Sequence, residues 1–401
     1  MERIETDILV AGGGVAGLCA TAAFAAEGFE TLCVDPVPPI TDENADGADL
    51  RSTAFLLPSV ALLKKSGLWQ RLDEYAAPLR IMRIVDSGGE EHGLREQANF
   101  DAHDIDREAF GYNLPNWLLR REMVAHVADL PSARLEAPVK VDRITPRLNG
   151  ALVQLSDGRQ VFAKLVVAAD GRNSVIREQL GIKVKKWRYG QKALVFNVRC
   201  ERPHENVSTE IHRSGGPFTL VPLPDQTGVH QCAVVWMETG PNADDLQKMN
   251  EADFNAALNL RACGILGKLE LSSKRILWPI IAQRATQLNG PRTALLAEAA
   301  HVIPPIGAQG LNMSLADLSA LVDLTVAARN TGKDFGSPEV LSEYHRTRWP
   351  DMAARIKGVD VLNRAAMAES QNLRDLRRAG LKALYGLGPL RKAAMKAGLG
   401  A

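Results

Sequence analysis

Near its start the chain runs TDILVAGGGVAGLCATAAFAAEGFETLCVD, and few folds accept that order of residues. Residues 6–11 read as a short β-strand. Gly12, Gly14 and Gly17 follow at once in a Gly-x-Gly-x-x-Gly turn. Small and apolar residues then recur at helical spacing up to Gly28, a natural helix stop. A second β run, residues 31–34, ends in Asp35. In such a βαβ unit Gly12 permits the tight turn, Gly14 lets the backbone approach a pyrophosphate, and Gly17 lets helix and strand pack closely. The helix start at Val15 and Ala16 offers unpaired N–H groups and a positive dipole end to the phosphates. Asp35, 18 residues past Gly17, is placed for ribose hydroxyls. A merely structural glycine turn accounts for the glycines but not for the strand, helix and acid around them. The unit predicts a dinucleotide site and leaves NAD and FAD undistinguished. A second pair, Gly386 and Gly388, follows no strand and reads as a loop.

A chain of 401 residues holds two or three folding units. A formal net charge of +1 gives no global field for nucleic acid. Five scattered cysteines and eight unclustered histidines show no metal-site spacing, so no metal is expected. The cysteines suit reduced thiols in a cytosolic compartment. No secretory leader and no uncharged bilayer-length stretch is visible, which predicts a soluble chain.

Further along, residues 49–69 read as a polar loop carrying Arg51 and then an amphipathic helix ending near Gly67. Arg51 is either a surface charge or a phosphate or flavin contact. Residues 116–130 read as a helix that includes Arg120. Two alternating runs flank a turn at Asp157 and Gly158. Residues 165–169 (LVVAA) are continuously apolar, as in a strand buried on both faces, and end in Asp170 and Gly171. That edge is where open α/β sheets bind ligands, although a turn with Ser174 as helix cap explains it too. From residue 192 to 279 the texture is β, with a helix near 252–266. A buried strand returns at 292–297. Then AEAAHVIPPIGAQGLNMSLAD turns through Glu298, His301, Pro305, Gly307 and Gly310 into a helix starting near Asn312. The prolines stiffen the approach, and the glycines permit unusual backbone angles or contact with a flat ligand. A helix start aimed at a reduced flavin stabilises its negative charge. A Pro-Gly loop capping a helix explains the turn, but not a second ligand-shaped turn in one chain.

GGGVAG from Gly12, AADGRNSVIREQLGI from Ala168 and the segment from Ala297 resemble the three fingerprints of class A flavoprotein monooxygenases of the para-hydroxybenzoate hydroxylase fold. More narrowly, DLRSTAFLLPSVALLKKSGLW, FGYNLPNWLLRREM and the C-terminal LSEYHRTRWPDM region are similar to the ubiquinone-biosynthesis hydroxylases. The resemblance implies an α/β fold. A Rossmann-like FAD-binding domain (residues 1–80, 100–185 and 285–335) is interrupted by a β-sheet-rich substrate domain (81–99 and 186–284). C-terminal helices follow from 336 to 401. It implies FAD on Gly12, Gly14, Val15, Ala16 and Gly17, with Asp35 on the ribose and Arg51 and Arg120 as further FAD contacts. Asp170 would sit beside the cofactor and assist NAD(P)H. Pro305, Gly307, Gly310, Leu311 and Asn312 would line the isoalloxazine. The family's usual Gly-Asp pair is here Ala297-Glu298, so the ribitol contact is expected in shifted form.

The implied reaction is aromatic hydroxylation of a prenylated phenol with NAD(P)H and O2 through a flavin C4a-hydroperoxide. Its candidate catalytic residues are His301, Pro305 and Gly310, with His301 either a proton donor or a structural histidine beside the loop. The alternatives are a soluble aromatic substrate or a non-catalytic accessory subunit of a quinone-biosynthesis complex. Phe218, Leu220, Pro222 and Trp236 are either a substrate wall or ordinary core. The basic C-terminal helices are either a solvated face or a contact with the inner face of a membrane or with a partner complex.

Overall fold

The structure is a computed structural model that describes residues 3–89, 93–225 and 228–399. The expected domain ranges therefore include a few residues (1, 2, 90–92, 226, 227, 400 and 401) that lie outside the described ones.

Three apolar strands set the position of everything else. Arg3–Ala11, Gln160–Ala168 and Thr293–Leu295 lie side by side and parallel, in the order Asn289–Gly290, Thr293–Leu295, Gln160–Ala168, Arg3–Ala11, Thr31–Val34, Ala133–Glu136. Ile8, Leu9, Val10, Leu165, Val166 and Val167 have no exposed surface, as strands covered on both faces require. Burying each such side chain contributes about 1.5–3 kcal/mol. The register pairs Ala11 with Ala168 and Ala168 with Leu295. The glycine turn, the Asp170 turn and the Ala297 turn thus leave one sheet edge from neighbouring strands, about 4.8 Å apart.

Between Gln160–Ala168 and Thr293–Leu295 the chain builds six of the nine strands of a second sheet. The 17-residue strand Val184–Cys200 leads out, and Ile276–Ala285 returns antiparallel beside it. Ile81–Asp86 and Glu96–Asp101 complete the far edge. Alternation gives this sheet two apolar faces. Phe196, Phe218, Leu220 and Trp236 face the helix Glu251–Ala262, with Phe218 and Trp236 ring centroids 5.5 Å apart. Ala193, Val195, Met237 and Ile280 face the other way, onto Ile306 of the Pro-Pro loop. Of the two readings for Phe218, Leu220 and Trp236, ordinary core is the one observed: these side chains are turned away from that loop. Pro222 is buried, and its carbonyl accepts a hydrogen bond from the Asn113 side chain at 2.7 Å.

Two local readings change as well. Residues 52–56 form a strand, Ser52–Leu56, paired with Gly111–Pro115, before the helix Leu57–Lys65 begins. Gly386 and Gly388 end one helix, Gln371–Gly386, and start the next, Gly388–Leu399, with only Leu387 between. The apolar helix Gln309–Asn330 is long and apolar enough to cross a membrane, but Met313, Leu315, Leu318, Leu321 and Val322 pack in the core.

Candidate active site

The glycine turn is fixed by close approach. A Cβ on Gly12 would lie 2.3 Å from the Ala169 carbonyl oxygen, and the residue holds φ +111°. A Cβ on Gly17 would lie 1.8 Å from the Gly12 carbonyl oxygen. Gly14 is different: nothing lies within 4 Å of its Cβ position. It is the N-cap of helix Val15–Ala26, and no side chain caps that helix, so the N–H groups of Val15, Ala16 and Gly17 have no intrahelical partner. Space and unpaired donors together fit a pyrophosphate. Asp35 is held beside the turn: its Oδ2 accepts from the Gly13 N–H at 2.5 Å and its Oδ1 from the Val37 N–H at 2.8 Å.

Arg51 is anchored by Asp49, whose two oxygens accept from Nε and Nη2 at 2.7 Å each. Asn116 donates to the same carboxylate at 3.0 Å, and Arg120 stands 3.7 Å from it. Burial pushes the Asp49 carboxyl up, but Arg51, Asn116 and Arg120 overcome this and hold it below the usual carboxylate range. The Arg51 guanidinium lies 4.8 Å over the Trp278 ring, so this loop of the first sheet meets the second. Arg51 is therefore an oriented side chain where its loop meets the second sheet.

Asp170 follows strand Gln160–Ala168. Its Oδ2 accepts from the Ile176 N–H at 3.2 Å, while its Oδ1 is buried with no partner among the described residues. Burial pushes this carboxyl up, against hydrogen bonds from Ser174 and Ile176. A buried oxygen left unpaired is costly, and a bound hydroxyl or amide would satisfy it.

The Pro-Pro loop carries two strained alanines. Ala297 has φ +55° and Ala308 φ +56°, both in the left-handed region. Glu298 forms a two-point ion pair with Arg172 at 3.0 and 3.2 Å. The following helix starts at Gln309, three residues earlier than expected, with Ala308 as an N-cap that makes no side-chain hydrogen bond. Asn312 lies inside it and stitches it to strand Ser52–Leu56: its Oδ1 accepts from the Leu56 N–H at 2.8 Å, and its Nδ2 donates to the Ala54 carbonyl at 2.7 Å. Leu311 and Gly310 are half-buried, Gly307 holds φ +60°, and Pro305 is exposed. His301 is turned into the core, where its Nε2 meets Asp317 Oδ2 at 2.8 Å.

The fold thus brings Gly12, Asp170 and Ala297 to one sheet edge, and ties Asn312 to the strand that follows Arg51. It does not bring the His301 ring to that edge. Sequence reasoning missed Asp49, Asn116, Trp278, Arg172 and Asp317. Only Asp49 carried a local signal, an acid two residues before Arg51. Among the described residues no group of three or more His, Cys, Asp or Glu side chains is placed to hold a metal ion.

Residues 5–358 match the FAD binding domain family. A ubiquinone hydroxylase, UbiL of Rhodospirillum rubrum, is 32% identical over 98% of this chain and 89% of its own length. The chain belongs to the FAD-dependent hydroxylases of ubiquinone biosynthesis. The 3-demethoxyubiquinol 3-hydroxylase of Escherichia coli is 29% identical to this hydroxylase, with all of both chains covered. Among solved structures, p-nitrophenol 4-monooxygenase PnpA from Pseudomonas putida superposes with a TM-score of 0.79 at 20% identity, covering 100% of this hydroxylase and 99% of its own chain. That likeness gives the α/β flavin monooxygenase fold alone.

Proposed function

We propose that this protein hydroxylates the aromatic ring of a prenylated phenol intermediate of ubiquinone synthesis, with O2 as oxygen source and NAD(P)H as electron donor. The observation that carries the reading is the convergence of three turns on one sheet edge, with open space at Gly14 and an unpaired oxygen on Asp170.

FAD, when bound, supplies electron acceptance from the nicotinamide and activation of O2. The chain's own residues do the rest. The amides at Val15, Ala16 and Gly17 would bind the diphosphate and Asp35 the ribose. Arg51, set by Asp49, would orient the ring system, and Asp170 would meet a cofactor hydroxyl or amide with its free oxygen. The helix start at Gln309 would stabilise negative charge on the flavin's pyrimidine side. Ile306, Met237, Ile280 and Val195 pack as an apolar cluster behind the Pro-Pro loop and would help to exclude water there. Deprotonation of the phenol makes its ring more electron-rich, which favours oxygen transfer to it.

The protein should purify yellow, bleach with NADPH or NADH, and recover colour in air. A strain lacking it should accumulate a quinone precursor short of one hydroxyl. Normal quinone content without that precursor overturns the pathway assignment, and rapid turnover of small hydroxybenzoates favours a soluble substrate instead. A colourless protein that takes up no FAD yet co-purifies with quinone-pathway enzymes supports an accessory role. The five free cysteines support a reducing, cytoplasmic setting for the enzyme.

A further inference from the structure

The helices Gln371–Gly386 and Gly388–Leu399 carry two unlike faces. On the inner one, Leu381, Leu384 and Tyr385 pack on Met82, Ile84 and Phe100, and Met395 and Leu399 are buried against Leu56 and Phe110. Two polar anchors hold that face in place. Arg377 donates to Asp86 at 2.8 and 3.0 Å, and Gln309 Nε2 donates to the Gly398 carbonyl at 3.1 Å. Gln309 opens the helix after the Pro-Pro loop, so the terminal helix lies directly against the active-site loop.

The surface that the pair leaves exposed is both apolar and cationic. Leu373, Leu376, Leu387 and Leu390 are 49–68% exposed, and so are Val361 and Leu362 of the preceding helix. Residues 371–399 hold seven lysines and arginines and one acid, Asp375. That acid is taken by Arg95 at 2.6 Å. Arg377 and Arg391 pair inward with Asp86 and Asp104. Arg378, Lys382, Lys392 and Lys396 are exposed and make no ion pair among the described residues. Exposed leucines at helical spacing, flanked by unpaired cations, match the boundary between acyl chains and anionic headgroups.

We propose that the exposed surface of the terminal helix pair docks the enzyme on an anionic lipid bilayer. The surface then stands one helix thickness from the Pro-Pro loop, and a substrate with a prenyl tail reaches the ring-binding space without leaving lipid. This route rests on the proposed substrate class; the docking does not, and its test reads binding rather than turnover.

The test uses the full-length, flavin-loaded protein and sedimentation with phosphatidylcholine vesicles, with and without phosphatidylglycerol. Binding is expected only with phosphatidylglycerol and should fall with added salt. Lys382→Glu with Lys392→Glu should weaken it by more than about fivefold per lysine, and Leu376→Asp with Leu387→Asp should abolish it. Lys268→Glu, outside the helices, should leave it unchanged. Flavin content and circular dichroism of each variant establish that it is folded. Failure to bind phosphatidylglycerol vesicles, or binding indifferent to these substitutions in folded protein, overturns the proposal. So does loss of a protein partner in the same variants while vesicle binding persists.

Discussion

Nε2 of His301 lies 2.8 Å from Oδ2 of Asp317, while Nε of Arg348 lies 2.6 Å from the other oxygen of the same carboxylate. Asp317 has no exposed surface, and the pair fastens the start of the Pro-Pro loop to the helix that leaves it. Asp317→Asn leaves Arg348 only its more exposed partner Asp351, at 2.8 Å, and should cost about 3 kcal/mol, the low end for a broken buried pair. His301→Asn should cost less, about 1–3 kcal/mol, because Asp317 keeps Arg348 as its partner. Urea unfolding measures both. If the histidine only positions the loop, folded His301→Asn enzyme should keep its turnover within a fewfold; a loss of several hundredfold with unchanged substrate KM assigns it to proton transfer.

Neighbouring glycines of the nucleotide turn should fail in different ways. Gly17→Ala forces a methyl to within 1.8 Å of a backbone oxygen and should yield little folded protein. Gly14→Ala meets no protein atom, so it should fold with nearly unchanged stability and lose FAD affinity at least about tenfold. Flavin fluorescence on titration distinguishes them. Gly14→Ala protein with normal FAD affinity removes the diphosphate from this turn.

Ala297 holds a left-handed backbone at φ +55°, where a Cβ costs about 1–2 kcal/mol. Ala297→Gly relieves that strain but gives back about 0.4–1 kcal/mol through the freer unfolded chain. A net gain of up to about 1 kcal/mol is expected in chemical denaturation. The exposed Arg172–Glu298 pair should be nearly silent in the same experiment, since surface ion pairs contribute about 0–1 kcal/mol.

Asp49 gives the loop at Arg51 an acid sensitivity. Its folded carboxyl titrates below its ordinary 3.8, so the stability it contributes is complete above 3.8 and lost as pH falls through the lower folded value. Thermal unfolding from pH 7 down to about pH 3 should therefore steepen at the acid end. Asp49→Asn should flatten that limb while lowering stability at neutral pH, where Arg51 and Arg120 lose their partner.

Much of this fold was legible because the relevant signals are local. Continuous apolar runs mark strands covered on both sides, and the glycine turn names its own ligand class. Residues 52–56 misled because STAFL continues into a helix at apolar spacing, and only pairing with Gly111–Pro115 makes it a strand. The facing of Phe218, Leu220 and Trp236 was not readable, since alternation defines two faces without saying which one a helix covers. Asp317, Trp278 and Arg172 were invisible for a related reason: each acts on a residue far away in the chain. The departure at Ala297-Glu298 was plain in the letters, but its left-handed backbone was not.

The segment that carries six of the second sheet's nine strands leaves the first sheet after one strand and rejoins at that strand's immediate neighbour, Gln160–Ala168 beside Thr293–Leu295. Its exit and re-entry are thus as close as two paired strands allow, about 4.8 Å. An insert hung on such adjacent posts behaves as a cassette, because its length and contents leave the spacing of its attachments unchanged. New ring-binding chemistry can therefore be exchanged into that segment while the nucleotide grip stays as it is.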